Sequence, residues 1–185
     1  RIGRPAGGRV MENVLTATRD HLRTQMSYDA KYINIEPGNI PPPWFGEFYI
    51  TLDDGGVATD TADRNYLKEI FTVTIEVLRR AGVYPDDVQD TVYTDATIGL
   101  RALERAVIQN IHGNHTLRAA INTAAGTPGG STGDIYQQPL WYAGRQPVRY
   151  ENAAWNGDRD NEAAFIVRSL TFIGADRIQA ISSMK

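Results

Sequence analysis

The sequence predicts an α+β fold: an antiparallel sheet of about four to five strands, with an N-terminal amphipathic helix and a central helical pair packed on it. Three observations lead there. Apolar residues recur at i+4 near the N-terminus and again around residues 100–111. Between 71 and 77 they alternate strictly, which is strand periodicity. The helical and strand-like stretches are also segregated along the chain rather than interleaved, which disfavours a doubly wound α/β sheet. With 185 residues the chain is expected to form a single domain, 1–185, able to bury a core without staples.

Residues 1–8, with Gly3, Pro5, Gly7 and Gly8, are expected to form a flexible arm. Val10, Val14, Thr18, Leu22 and Met26 then set a helix near 9–26, with Arg9, Glu12, Arg19, Asp20 and Arg23 on its other side. The period changes to two at Tyr32-Ile33-Asn34-Ile35, before Pro37, Gly38 and Pro41-Pro42-Pro43 break regular structure. Phe48, Ile50 and Leu52 share one face of a strand over 47–52, which Asp53-Asp54-Gly55-Gly56 is expected to close with a turn.

Over 67–80, Phe71, Val73, Ile75 and Val77 form a dry face, and Thr72, Thr74 and Glu76 the wetter one. Such two-sided strands point to an antiparallel sheet, because a parallel sheet is apolar on both faces. Asp95 is placed as the N-cap of a helix over 96–112, with Leu100, Leu103, Val107 and Ile111 on its buried stripe. Gly113-Asn114 ends that helix, and His115–Ala125 forms a shorter one with Leu117, Ile121 and Ala124 inward. A long Gly/Pro-rich loop, 126–139, is expected to be mobile. Two strands, 140–150 and 163–173, close the chain. In the second, Ile166, Leu170 and Phe172 share a face that Arg168 interrupts.

The composition excludes several kinds of chemistry. There is no cysteine, so disulfides, thiolate metal sites and cysteine nucleophiles are out of reach. A formal net charge of −3 argues against gripping nucleic acid through bulk charge. No apolar run approaches the ~20 residues that span a bilayer, so a soluble protein of a reducing compartment, without membrane partners, is expected.

Specific motifs are weak. Gly126-Thr127-Pro128-Gly129-Gly130-Ser131-Thr132-Gly133 resembles a phosphate loop, but it has no Lys, and Asp134 would repel the anion. His112 and His115, with Glu104 one face earlier, have the residue types of a metal site, yet Gly113-Asn114 between them favours a helix end. His21 stands alone and is expected at a solvated edge. Asp158-Arg159-Asp160-Asn161-Glu162 begins like a calcium loop but lacks its glycine and terminal Glu, so a solvated turn is expected. No nucleophile elbow is present, and Glu69 and Glu76 do not converge on one cleft. No enzyme activity, cofactor or metal is expected; the competing class is a small metal-dependent enzyme using His112, His115 and Glu104.

What remains is surface. Trp44, Phe45, Trp141, Tyr142 and Trp155 lie in or beside loops and are the candidate protein-interface residues, because large rings anchor contacts between proteins. Arg101, Arg105 and Arg118 around Glu104 fit a subunit seam or a solvated helix face, of which the solvated face is expected.

The order of elements resembles a family. An N-terminal amphipathic helix, Tyr32-Ile33-Asn34-Ile35, Glu47-Phe48-Tyr49-Ile50-Thr51-Leu52, a long strand ending Ile75-Glu76-Val77-Leu78-Arg79-Arg80, helices, and a closing Leu170-Thr171-Phe172-Ile173-Gly174 are similar to the tail terminator and head–tail joining (neck) proteins of tailed bacteriophages. The match covers about residues 9–125 and 163–175, and residues 126–162 depart from it. The resemblance implies an α+β subunit of a homo-oligomeric ring, a hexamer, capping the tail tube at the neck of the virion after assembly in the host cytoplasm. It also implies tail tube and neck or head-completion proteins as partners, with DNA only as cargo in the channel. A head-completion or tail-tube subunit is the competing structural version. No catalytic residues carry over.

Overall fold

A computed structural model describes residues 7–28, 32–35, 48–63, 66–80, 92–126, 135–155 and 158–180. It has the expected α+β architecture, with helices on one face of a mixed six-stranded sheet. The helices are α1 (Gly7–Met26), α2 (Leu100–Ile111) and α3 (His115–Ala124), together with a helical segment over 92–94. The strands are β1 (Ile33–Ile35), β2 (Phe48–Asp63), β3 (Tyr66–Arg80), β4 (Leu140–Arg145), β5 (Arg149–Trp155) and β6 (Asp158–Ala180). The sheet order is β1-β2-β3-β6-β4, with β5 also pairing β6.

The strand count exceeds the expected four to five because the 140–150 stretch is two strands, broken at Gln146-Pro147-Val148. Proline has no N–H to donate to a ladder, so pairing stops there. Nor is the sheet purely antiparallel, since β1 runs parallel to β2, with Ile33 opposite Ile50.

The alternating strands build one main core. Leu52, Phe71, Val73, Ile75, Val77, Leu170 and Phe172 meet Val14, Leu22, Leu103, Val107, Leu117 and Ile121 from the helices. Each such buried Leu, Ile or Val contributes about 1.5–3 kcal/mol. The opposite face is not uniformly wet: Tyr49, Leu78, Phe165 and Val167 form a second small core there. Beside it Glu76 is buried, held by Arg149 Nη2 at 2.6 Å and by Ser169 Oγ at 2.8 Å.

Several local expectations change. Asp53-Asp54-Gly55-Gly56 does not end β2. It makes a bulge, because two residues lie between the Asp54–Val73 and Val57–Phe71 pairs where β3 has one. Asp54 Oδ1 accepts the Gly56 N–H at 2.7 Å, and Gly56 takes φ +99°, a conformation glycine adopts freely.

Asp95 caps a turn rather than a helix. Its Oδ1 accepts from Thr97 and Ile98, and α2 starts five residues on at Leu100. In α3 the buried positions are Leu117, Ile121 and Asn122, whereas Ala124 is exposed. The acidic stretch from Asp158 is strand, paired from Trp155–Asp158 onward. Residues 127–134 of the glycine-rich loop and residues 1–6 of the arm lie outside the described residues. Tyr136, expected in the loop, is instead buried and bridged to Arg177.

Candidate functional site

Two residues break the apolar patterns that build the core, and they meet. Glu104 occupies the buried stripe of α2 beside Leu100, Leu103 and Val107. Arg168 interrupts the Ile166, Leu170 and Phe172 face of β6. The sheet brings this Arg under α2, with its Nε 3.5 Å from Glu104 Oε2. Glu104 Oε1 accepts a hydrogen bond from Arg145 on β4. A buried carboxylate needs such partners, since an unpaired charge in a low-dielectric interior is very costly.

The result is a cleft of about 450 Å³ between α2, β4 and β6, lined by Arg101, Glu104, Arg105, Ile108, Arg145 and Arg168. Arg101 and Arg105 are one helical turn apart on the exposed side of α2 and make no ion pair among the described residues. Four guanidinium groups therefore surround one carboxylate, a local excess of positive charge on a chain whose net charge is −3. Its hydrogen bond and charge hold the Arg145 pKa above the usual arginine value. Arg168 Nη1 also donates to the Gln146 carbonyl at 2.9 Å, so its guanidinium is fixed. Tyr93 lies within electrostatic reach of Arg168, Arg101 and Tyr150, and Tyr150 is 68% exposed. Guanidinium forks recognise carboxylates and phosphates, and with exposed tyrosine they have the composition of an anion-binding or protein-docking surface.

Of the aromatic candidates, Trp141 and Tyr142 have described side chains, and their surroundings differ. Trp141 is exposed and sets its ring edge-on to His112, with centroids 5.1 Å apart. Tyr142 instead packs near Phe172 at 5.7 Å and is half-buried against the core. Trp155 lies in β5, and Trp44 and Phe45 fall outside the described residues, as does the side chain of Trp155.

The histidines have other partners. His112 Nδ1 accepts the Tyr142 N–H at 3.1 Å, and Gly113 N–H donates to Leu140 O at 2.9 Å, so the α2–α3 turn covers the outer edge of β4. Glu104 faces the arginines rather than His112. Asn114, not His115, caps α3 by accepting from Leu117 N–H. No group of three or more His, Asp or Glu side chains is placed to hold a metal among the described residues. His21 is half-buried rather than at a solvated edge: its Nε2 lies 3.1 Å from Asn110 O, and burial holds its pKa below the ordinary value despite that bond.

Of the expected arginine cluster, Arg101 and Arg105 line the cleft, whereas Arg118 turns toward the Tyr136 and Gln137 carbonyls. Arg145 and Arg168 complete the cleft and were not anticipated. The usable signal was the pair of misfits, a Glu in one apolar stripe and an Arg in another, which only a fold can bring together. No known protein-family model matches the chain, and no curated protein matches it.

Proposed function

We propose that this chain is a structural subunit of a tailed-phage virion, assembling into a ring at the tail–neck junction that caps the tail tube and joins it to the head connector. The virion assignment rests on the family resemblance of its element order; the hexameric stoichiometry and the tail tube and neck partners come from the same source. The observation that supports assembly is the polarity of the sheet. At one end, β2 continues past the last residue paired with β1, Leu52, and residues 53–59 are all exposed on an edge unpaired among the described residues. At the other end lies the arginine cleft. Unlike ends suit head-to-tail contacts, which close into rings when the rotation allows.

The test is native mass spectrometry and negative-stain microscopy of the purified full chain, together with its detection in purified particles. Rings and virion association support the reading. A strictly monomeric protein absent from particles overturns it.

A further inference from the structure

We infer that the arginine cleft is one half of the seam between copies of this chain, and that its occupant is the acidic edge of β2 around Asp53 and Asp54 from a second copy. This inference rests on the assembly reading and names the surfaces that would carry it.

Four observations converge. The cleft holds Arg101, Arg105, Arg145 and Arg168 against the single carboxylate of Glu104, which already bridges Arg145 and Arg168. Arg101 and Arg105 are thus left with exposed guanidinium groups. The outer edge of β2 beyond Leu52 is unpaired among the described residues as far as Thr59 and carries exposed Asp53 and Asp54. Finally, the two surfaces lie at opposite ends of the order β1-β2-β3-β6-β4, so one copy cannot satisfy both itself, whereas a head-to-tail neighbour can.

The bulge favours Asp53 and Asp54 as the inserted point. Extra twist at a bulge turns the edge away from simple strand pairing, which leaves side-chain charge rather than a continued ladder to make the contact. Exposed Val57, on the same edge, adds apolar area beside the acids as Ile108 does in the cleft. Duplex DNA is the competing anion. The acidic occupant is favoured because the same chain supplies a complementary edge, and because four arginines in one recess form a pocket rather than the extended basic face that follows a phosphate backbone.

The test uses charge exchange in the full chain. Arg101→Glu with Arg105→Glu alters the cleft at two exposed positions. Asp53→Lys with Asp54→Asn alters the edge while keeping the side-chain oxygen that accepts the Gly56 N–H. Each variant alone should associate at least tenfold more weakly than the parent by sedimentation velocity. An equimolar mixture should recover association, because every seam in an alternating assembly then pairs opposite charges. The parent should also weaken as salt rises. Circular dichroism checks folding; if the first variant is unfolded, Arg101→Gln with Arg105→Gln replaces it in the single-variant comparison only, and should likewise associate at least tenfold more weakly than the parent.

If the parent assembles and both variants assemble equally well, the seam is overturned while the ring reading stands. If the parent itself stays monomeric, the ring reading fails. Binding of a short DNA duplex that is lost in the arginine variant, with assembly unchanged, also overturns the seam.

Discussion

Asn122 holds the main chain of Tyr136 from both sides: its Oδ1 accepts the Tyr136 N–H at 2.9 Å, and its Nδ2 donates to the Tyr136 carbonyl at 3.1 Å. One amide side chain thus replaces a strand as hydrogen-bonding partner and ties α3 to the segment entering β4. Asn122→Ala would leave the buried Tyr136 N–H without its partner, at a cost of about 1–3 kcal/mol, and leave the Tyr136 carbonyl to the 3.5 Å contact from Arg118 Nη1. The expected result is a fall of about 1–3 kcal/mol in unfolding free energy, read as a lower urea midpoint with unchanged slope. A variant as stable as the parent would show that these bonds are dispensable.

The Tyr136 ring is fully buried, edge-on to Phe71 with centroids 5.6 Å apart. Burial pushes its phenol up to about 12, with Arg177 pulling it down and Glu69 pushing it up. The neutral phenol is therefore the form the fold favours. Its contribution is complete below the ordinary tyrosine value of about 10 and is lost as pH rises from there toward 12. Ultraviolet titration of the nine tyrosines should find Tyr136 among the late-ionising ones, together with Tyr28 and Tyr93, which burial also raises. Tyr136→Phe should remove one late phenol and flatten the alkaline loss of stability.

His21 works in the opposite pH range. Burial lowers its pKa, so the unfolded chain takes up a proton before the native one does. Stability is complete above about 6.5 and declines as pH falls through that value, levelling off once the folded imidazole is protonated as well. His21→Gln should reduce the difference in thermal midpoint between pH 7 and pH 5. An unchanged pH profile would remove His21 as its source.

Gly174 adopts φ +131° in the middle of β6, and a Cβ built there would lie 2.2 Å from the Pro139 carbonyl oxygen. Both conformation and space therefore demand glycine. Gly174→Ala is expected to lower the thermal midpoint by several degrees, corresponding to about 2 kcal/mol or more. Gly126→Ala, at φ +86° with nothing within 4 Å, should cost less. The ranking of the two midpoints checks the contribution of the steric contact.

Glu104→Gln keeps the shape of the cleft floor and removes its charge. Arg168, whose side chain is only 16% exposed, then loses its carboxylate, and four positive charges face one another unrelieved. A destabilisation of about 1–3 kcal/mol is expected, eased by added chloride or phosphate that screens the arginines. Restoration by Arg168→Met in the same chain would identify the buried pair as the source.

The apolar periodicities of 10–26, 71–77 and 100–111 were sufficient to foresee the helices, the long central strand and the α+β class, because burial of a repeating face is a local property of the chain. Boundaries were less legible. The Asp53–Gly56 turn signature became a bulge because β3 offers a long partner ladder, so continued pairing replaced reversal. Tyr136 entered the core because Asn122, itself unremarkable in sequence, supplied its missing backbone bonds. The cleft shows the same division. Glu104 and Arg168 were each visible as a flaw in an apolar stripe, but they stand 64 positions apart, and Arg145 gave no signal at all. Sequence alone determined which faces must be buried, since hydrophobic spacing carries that information. Only the tertiary structure decided which charges share a cleft, because long-range pairing depends on sheet order and on where α2 crosses β6.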